Sequence, residues 1–311
     1  MNRHFKKYYF YFAGRLLDLI GRYDHSIAYY SKVIQIRTFF WDVQTRHIAA
    51  YQKSTKKCYL EIHGGVGDFL QHLPFILKHK SAKYIVATHF MNAKAFFESL
   101  GITISKYYFY NNADEYRAIR HELKKLPYSY WCPRKVFFDS VPFIPKSKPQ
   151  LKTAVVIGLQ IGSSRLTNSP LSVKFALELI DALLKMGCSI ILFGTKKEIN
   201  SLNLKSSKAI YFATDKDITQ NLSFVHFCDL LIGGESVFKT MSSMSKIQTL
   251  VIHKDDNNRF RDRVFIRPYI QEGVMQVYKY KNLDKEISLA IDFAGHLIRN
   301  ELNLIPSYLS R

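Results

Sequence analysis

Three glycine-bearing segments carry the residue types that could do chemistry in this 311-residue chain. The first is His63-Gly64-Gly65-Val66-Gly67-Asp68. Its glycines permit a tight turn and the close approach of a ligand. Asp68 stands where a helix should begin, and two roles compete for its carboxylate. It can cap the helix, with Gln71 three residues on completing a capping box. It can also act as a general base on a hydroxyl. Capping donors and the helix dipole favour the charged carboxylate, whereas a base for an alcohol gains from the opposite. The loop is not a P-loop, since it lacks the Gly-Lys-Ser/Thr ending. It is also a poor dinucleotide fingerprint, because Leu70 and His72 occupy the places where a further glycine belongs. His63 and His72 flank the loop, and with Gly64, Gly65 and Gly67 they make a candidate acceptor side.

The second segment, Gly162-Ser163-Ser164-Arg165, follows an apolar run. Backbone N–H groups, two hydroxyls and a guanidinium suit a diphosphate, and a polar turn with a surface arginine is the alternative. The third, Gly233-Gly234-Glu235-Ser236, is expected at the carboxyl edge of a sheet. Glu235 can accept bonds from sugar hydroxyls or simply occupy a first helical turn. Ser236 and the first helical N–H groups can hold phosphate, and Lys239 either reaches that phosphate or faces water. Arg259, Arg261, Arg263 and Arg267 would make a cationic stripe if extended, or a charged edge strand. The eleven histidines form no HExxH motif, so no metal site is expected.

These segments need elements to hold them. Residues 1–57 carry eleven Lys/Arg against three Asp/Glu and read as two or three helices broken at Gly21. Leu16, Leu17, Leu19 and Ile20 there could cover a core or form an interfacial surface. From Cys58 the pattern becomes strand, glycine loop, helix, then strands near 84–87 and 102–110 and helices over 92–100 and 113–126. The Pro- and Lys-rich run 141–152 is the best linker. Beyond it, strands at 154–159, 189–194, 208–213 and 247–253, with the run 226–234 ending in a strand and a glycine turn, alternate with helices, the strongest over 171–187 and 285–300. The domains expected are a basic helical extension (1–57), a first Rossmann-like domain (58–147), a second (148–284), and a C-terminal helix packing near the domain interface (285–311).

Composition bounds the function. Lys+Arg 45 against Asp+Glu 25 gives a net charge of +20, which favours anionic partners. With Tyr 20 and Phe 23, nucleic acid, an acidic membrane surface and phosphorylated small molecules all remain open. Four dispersed cysteines with no CxxC pair argue against a disulfide or zinc scaffold. No run of about 18 apolar residues is present, and the first residues lack the core and cleavage site of a signal peptide.

The segment GGVGDFLQHLPFI (64–76) resembles the amino-terminal motif of the bacterial heptosyltransferases, glycosyltransferase family 9, in its Gly67-Asp68 and Leu73-Pro74 pairs. Residues 158–194 resemble that family's second domain, and the match spans roughly 58–280. The resemblance implies an α/β chain of GT-B fold: two Rossmann-like domains facing a cleft, here with an N-terminal helical extension. It implies inverting transfer of a heptose or related sugar from a nucleotide-diphosphate donor to a lipopolysaccharide-core or other surface saccharide. No metal or cofactor is needed. By resemblance Asp68 is the catalytic base, and Gly162, Ser163, Ser164 and Arg165 hold the donor phosphates. Gly234, Glu235 and Ser236 fall in the donor motif, which Lys239 follows. The donor motif differs here: Glu235 replaces an aspartate, Val237 a glycine and Thr240 a histidine; and the family's lysine before tryptophan-proline is absent, since Asn168 and Ser169 precede Pro170.

The expected partners are a nucleotide sugar and an anionic lipid-linked saccharide, with peripheral contact to the inner face of the cytoplasmic membrane. No nucleic acid is expected. The alternatives are a catalytically degenerate protein that binds sugar nucleotide or a partner, and a basic nucleic-acid binder.

Overall fold

The computed structural model describes residues 3–35, 41–54, 59–126, 129–145, 147–162, 171–214, 217–255 and 266–301. The chain divides into two compact units, Met1–Asp139 and Ser140–Arg311, so the division falls at the start of the Pro/Lys-rich run.

The first unit opens with helices α1 (Arg3–Leu19), α2 (Tyr23–Gln35) and α3 (Trp41–Lys53). Gly21 separates the first two in a left-handed conformation (φ 74°). Ile27, Tyr30, Val33, Val43 and Ala50 form the core of this extension. Strands β1 (Tyr59–Gly64), β2 (Lys83–Thr88), β3 (Ile104–Phe109) and β4 (Ser129–Trp131) alternate with α4 (Val66–Ile76), α5 (Ala93–Ser99) and α6 (Ala113–Leu123). The sheet is parallel, in the order β3-β2-β1-β4. Leu60 and Ile62 of β1 are buried, as are Leu70 and Leu73 of α4.

The second unit carries β5 (Val156–Gln160), α7 (Val173–Lys185), β6 (Ser189–Phe193), α8 (Lys196–Asn200), β7 (Ile210–Ala213), α9 (Ile218–Ser223), β8 (Leu230–Gly233), α10 (Val237–Met244), β9 (Gln248–Lys254), α11 (Arg267–Gln271), β10 (Met275–Tyr280) and α12 (Ile287–Glu301). Its parallel sheet runs β10-β9-β8-β5-β6-β7. Counted from the unit's first strand, this is the dinucleotide-fold order 3-2-1-4-5-6. Central strands β5 and β6 are buried throughout, which is why they read as continuous apolar runs. The C-terminal helix α12 packs through Ala290, Ala294 and Ile298 into the core that α7 supplies with Phe175, Leu179 and Leu183. The architecture is α/β throughout, two parallel sheets flanked by helices and preceded by a helical extension.

Candidate functional site

In the first sheet the strand order reverses between β1 and β4, so the chain leaves β1 on one side and returns on the other. Ligands of such sheets bind in the crevice at the carboxyl ends of those strands. Asp68 sits there, but not as the helix cap. The cap is Gly65, with extended backbone (φ −100°, ψ −173°), and Asp68 is the third helical residue. Its Oδ2 reaches back to accept from the Gly65 N–H at 3.1 Å. Gln71 does not close the capping box. Its Oε1 accepts from Arg134 Nη1 at 3.1 Å, and the same nitrogen donates to Asp68 Oδ1 at 2.9 Å. The Arg134 and Asp68 side chains are 15% and 26% exposed, so the pair lies at the protein–water boundary.

Arg134 is placed by the short strand β4 and the turn after it. The Cys132 N–H donates to Glu61 O at 2.9 Å, and the Lys135 N–H donates to Gln71 O at 2.7 Å. Between them His72 Nδ1 donates to Pro133 O at 3.0 Å. His72 is fully buried, and burial first, then the nearby Arg134 charge, push its pKa well down. It is a neutral strut behind the arginine, away from any surface an acceptor could touch. His63 is also buried. Its Nε2 donates to Glu61 Oε2 at 2.9 Å, and its ring stacks on Trp131 at 4.6 Å. Burial works to raise the Glu61 pKa, but hydrogen bonds from His63 and Ser129 outweigh it and hold the carboxyl below its usual range. Burial keeps His63 neutral.

The accessible rim around Asp68 includes residues that the sequence reading passed over. His89 follows β2 directly, and its Nε2 would stand 3.1 Å from a Cβ placed on Gly65. Its Nδ1 lies 3.3 Å from Tyr110 Oη, and Tyr110 contacts Tyr116 at 4.9 Å between ring centroids. Burial lowers the His89 pKa against the opposing pull of Asp68, so the imidazole is neutral near pH 7. A carboxylate, a neutral imidazole, a guanidinium and a phenol therefore share this edge. Position supplies the missed signal: the residue just past a parallel strand is a site candidate.

In the second unit the matching reversal lies between β5 and β8. Gly233 ends β8, where an added Cβ would lie 2.9 Å from both Cβ and O of Gln160, so only glycine fits. Gly234 and Glu235 follow, and Ser236 caps α10, its Oγ accepting from the Lys239 N–H at 3.2 Å. Lys239 does not face water. It is 1% exposed and its Nζ donates to Glu235 Oε2 at 3.2 Å. Glu235 Oε1 and Gln160 Oε1 are buried acceptors without a hydrogen-bond donor. Gly162 packs against the carboxylate of Glu198, which accepts from the N–H of Thr195, the cap of α8, at 2.6 Å. Ser163, Ser164 and Arg165 lie outside the described residues, as do Arg259, Arg261 and Arg263. Among the described residues no cluster of His, Cys, Asp or Glu could hold a metal ion, and no helix is long and apolar enough to cross a membrane.

No family model matches the sequence, and no curated protein matches it. Solved structures do resemble the fold. ADP-heptose LPS heptosyltransferase II of E. coli shares 12% identity, with a TM-score of 0.50 over 78% of this chain and 99% of that one. E. coli heptosyltransferase WaaC with ADP shares 10%, with a TM-score of 0.49 over 80% and 100%. A family 9 glycosyltransferase from Veillonella parvula shares 11%, with a TM-score of 0.42 over 81% and 91%. At such identity the likeness to heptosyltransferase II defines the class of fold, a two-sheet α/β chain of the GT-B kind.

Proposed function

We propose that the protein is a metal-independent glycosyltransferase that moves a sugar from a nucleotide-diphosphate donor to a saccharide acceptor, with inversion. The observation that carries this reading is the Asp68 carboxylate, presented at the switch point of the first sheet by the Gly65 N–H and Arg134. The acceptor hydroxyl binds beside Asp68, which takes its proton as the oxygen attacks the anomeric carbon. The bond from that carbon to the diphosphate breaks, and negative charge gathers on the leaving oxygens. For a diphosphate the second unit offers the Ser236 cap and the first N–H groups of α10, and the segment Gly162-Ser163-Ser164-Arg165 adds two hydroxyls and a guanidinium. The unsatisfied Oε1 atoms of Glu235 and Gln160 accept from sugar hydroxyls, a role that suits acceptors left without donors. On the acceptor side the accessible groups are Gly64, Gly65, Gly67, His89 and Tyr110, while His63 and His72 act from behind. The heptose donor, the lipopolysaccharide-type acceptor and a place at the inner face of the cytoplasmic membrane belong to this proposal.

The test is transfer from a panel of nucleotide sugars to a cell-derived lipopolysaccharide pool. Asp68→Ala is expected to lose about 10²–10⁴-fold in turnover while keeping donor affinity. Unchanged transfer would remove Asp68 from the mechanism. A second reading is favoured by one observation: Lys239 is buried against Glu235, so its charge is already engaged. A degenerate protein that binds nucleotide sugar without turnover would show saturable binding and no product from any donor.

A further inference from the structure

We propose that α1 lies flat on an anionic lipid bilayer, with its outer apolar arc sunk among the headgroups. The inference deepens the membrane placement proposed above and does not depend on the sugar-transfer chemistry. Successive helical residues turn by about 100°. On that wheel Tyr8, Tyr9, Phe12, Leu16, Leu19 and Ile20 fall within an arc of about 120°. All six are exposed, with Phe12 at 63%, Leu16 at 62% and Leu19 at 78%.

This arc is not the face that folds the extension. Gly14, on the opposite side, brings the helix against Tyr30 of α2, so closely that an added Cβ would lie 2.7 Å from the ring. Tyr30 also donates to Asp18 at 3.3 Å, and Phe10 meets the Tyr29 ring at 6.1 Å. The helix therefore has two apolar faces and spends only one on its own core.

Charge selects the occupant. Lys6 and Arg15 fall at the two edges of the outer arc, and exposed Arg22 follows the helix. Asp18, the one acidic residue of α1, sits on the inner side. Cations bordering an apolar stripe with tyrosines at one end match the boundary between anionic headgroups and acyl chains.

The full-length protein would be sedimented with vesicles of equal parts phosphatidylethanolamine and phosphatidylglycerol, and with pure phosphatidylcholine vesicles. Binding is expected to the anionic vesicles, and to fall about tenfold in Lys6→Glu/Arg15→Glu. Phe12→Ser with Leu16→Ser is expected to weaken partitioning about a hundredfold with far-UV circular dichroism unchanged. Should that pair disturb the helix, Leu19→Ser reads the same face. No binding to the anionic vesicles, or equal binding by the serine variants, overturns the proposal. So does a concentration-dependent dimer that the serine substitutions disperse while vesicles are ignored, since the face would then belong to a second copy. The vesicles hold no saccharide, so Asp68→Ala is expected to sediment like the parent whichever way the transfer assay falls.

Discussion

Gly64 shows how one residue fixes the candidate base. Its φ of 114° is open to glycine and costly for any other residue, and a Cβ there would run into the Asp68 carboxylate. Gly64→Ala is expected to cost about 1–3 kcal/mol, read as a lower denaturant midpoint, and to reduce turnover beyond what lost stability explains. Arg134 makes a separable prediction. It positions Asp68 from the segment after a strand remote in sequence, so Arg134→Gln should lower kcat while donor affinity holds. An unchanged kcat would show that the ion pair only braces the loop. The glycine and aspartate were legible because glycine runs and helix starts leave local marks. Arg134 was not, because its approach depends on β4 pairing with β1, and a three-residue strand has no period to detect. His89 left a positional mark at the end of a visible strand.

At the scale of elements, the long apolar strands and α7 were readable because burial on both faces or along one stripe writes itself into residue order. The helices of the extension were readable too, with their break at Gly21, although the division of α1 between an inner and an outer apolar face was not. Strand β10 escaped notice, since its half-exposed Gln, Val and Tyr and its exposed Lys resemble surface sequence. Inside α3, His47 is fully buried with neither ring nitrogen hydrogen-bonded, and burial alone lowers its pKa to about 4. The folded form therefore refuses a proton that the unfolded chain accepts below about 6.5. Stability from this source is intact above pH 6.5 and falls as pH drops toward 4, by about 3 kcal/mol in all. Thermal melts across that window should show the loss, and His47→Leu should flatten it.

At the scale of the molecule, the division after Asp139 predicts that brief digestion with a broad-specificity protease cuts within residues 140–152 and leaves two stable fragments. Cuts scattered through either sheet would contradict that division. The Pro/Lys composition of 141–152 marks an expected linker, whereas pairing between distant strands had to be seen. The extension also does something for the first sheet that its own core does not require. Ser31 of α2 takes the Trp131 N–H of β4 at 3.2 Å, and Tyr130 packs into the core around Ile27 and Tyr30. A chain shortened to begin at Tyr59 would leave a bare β-ladder rung and an unsheltered aromatic side by side, an invitation to strand-to-strand stacking between molecules. The leading helices thus shield the short strand β4 from such pairing.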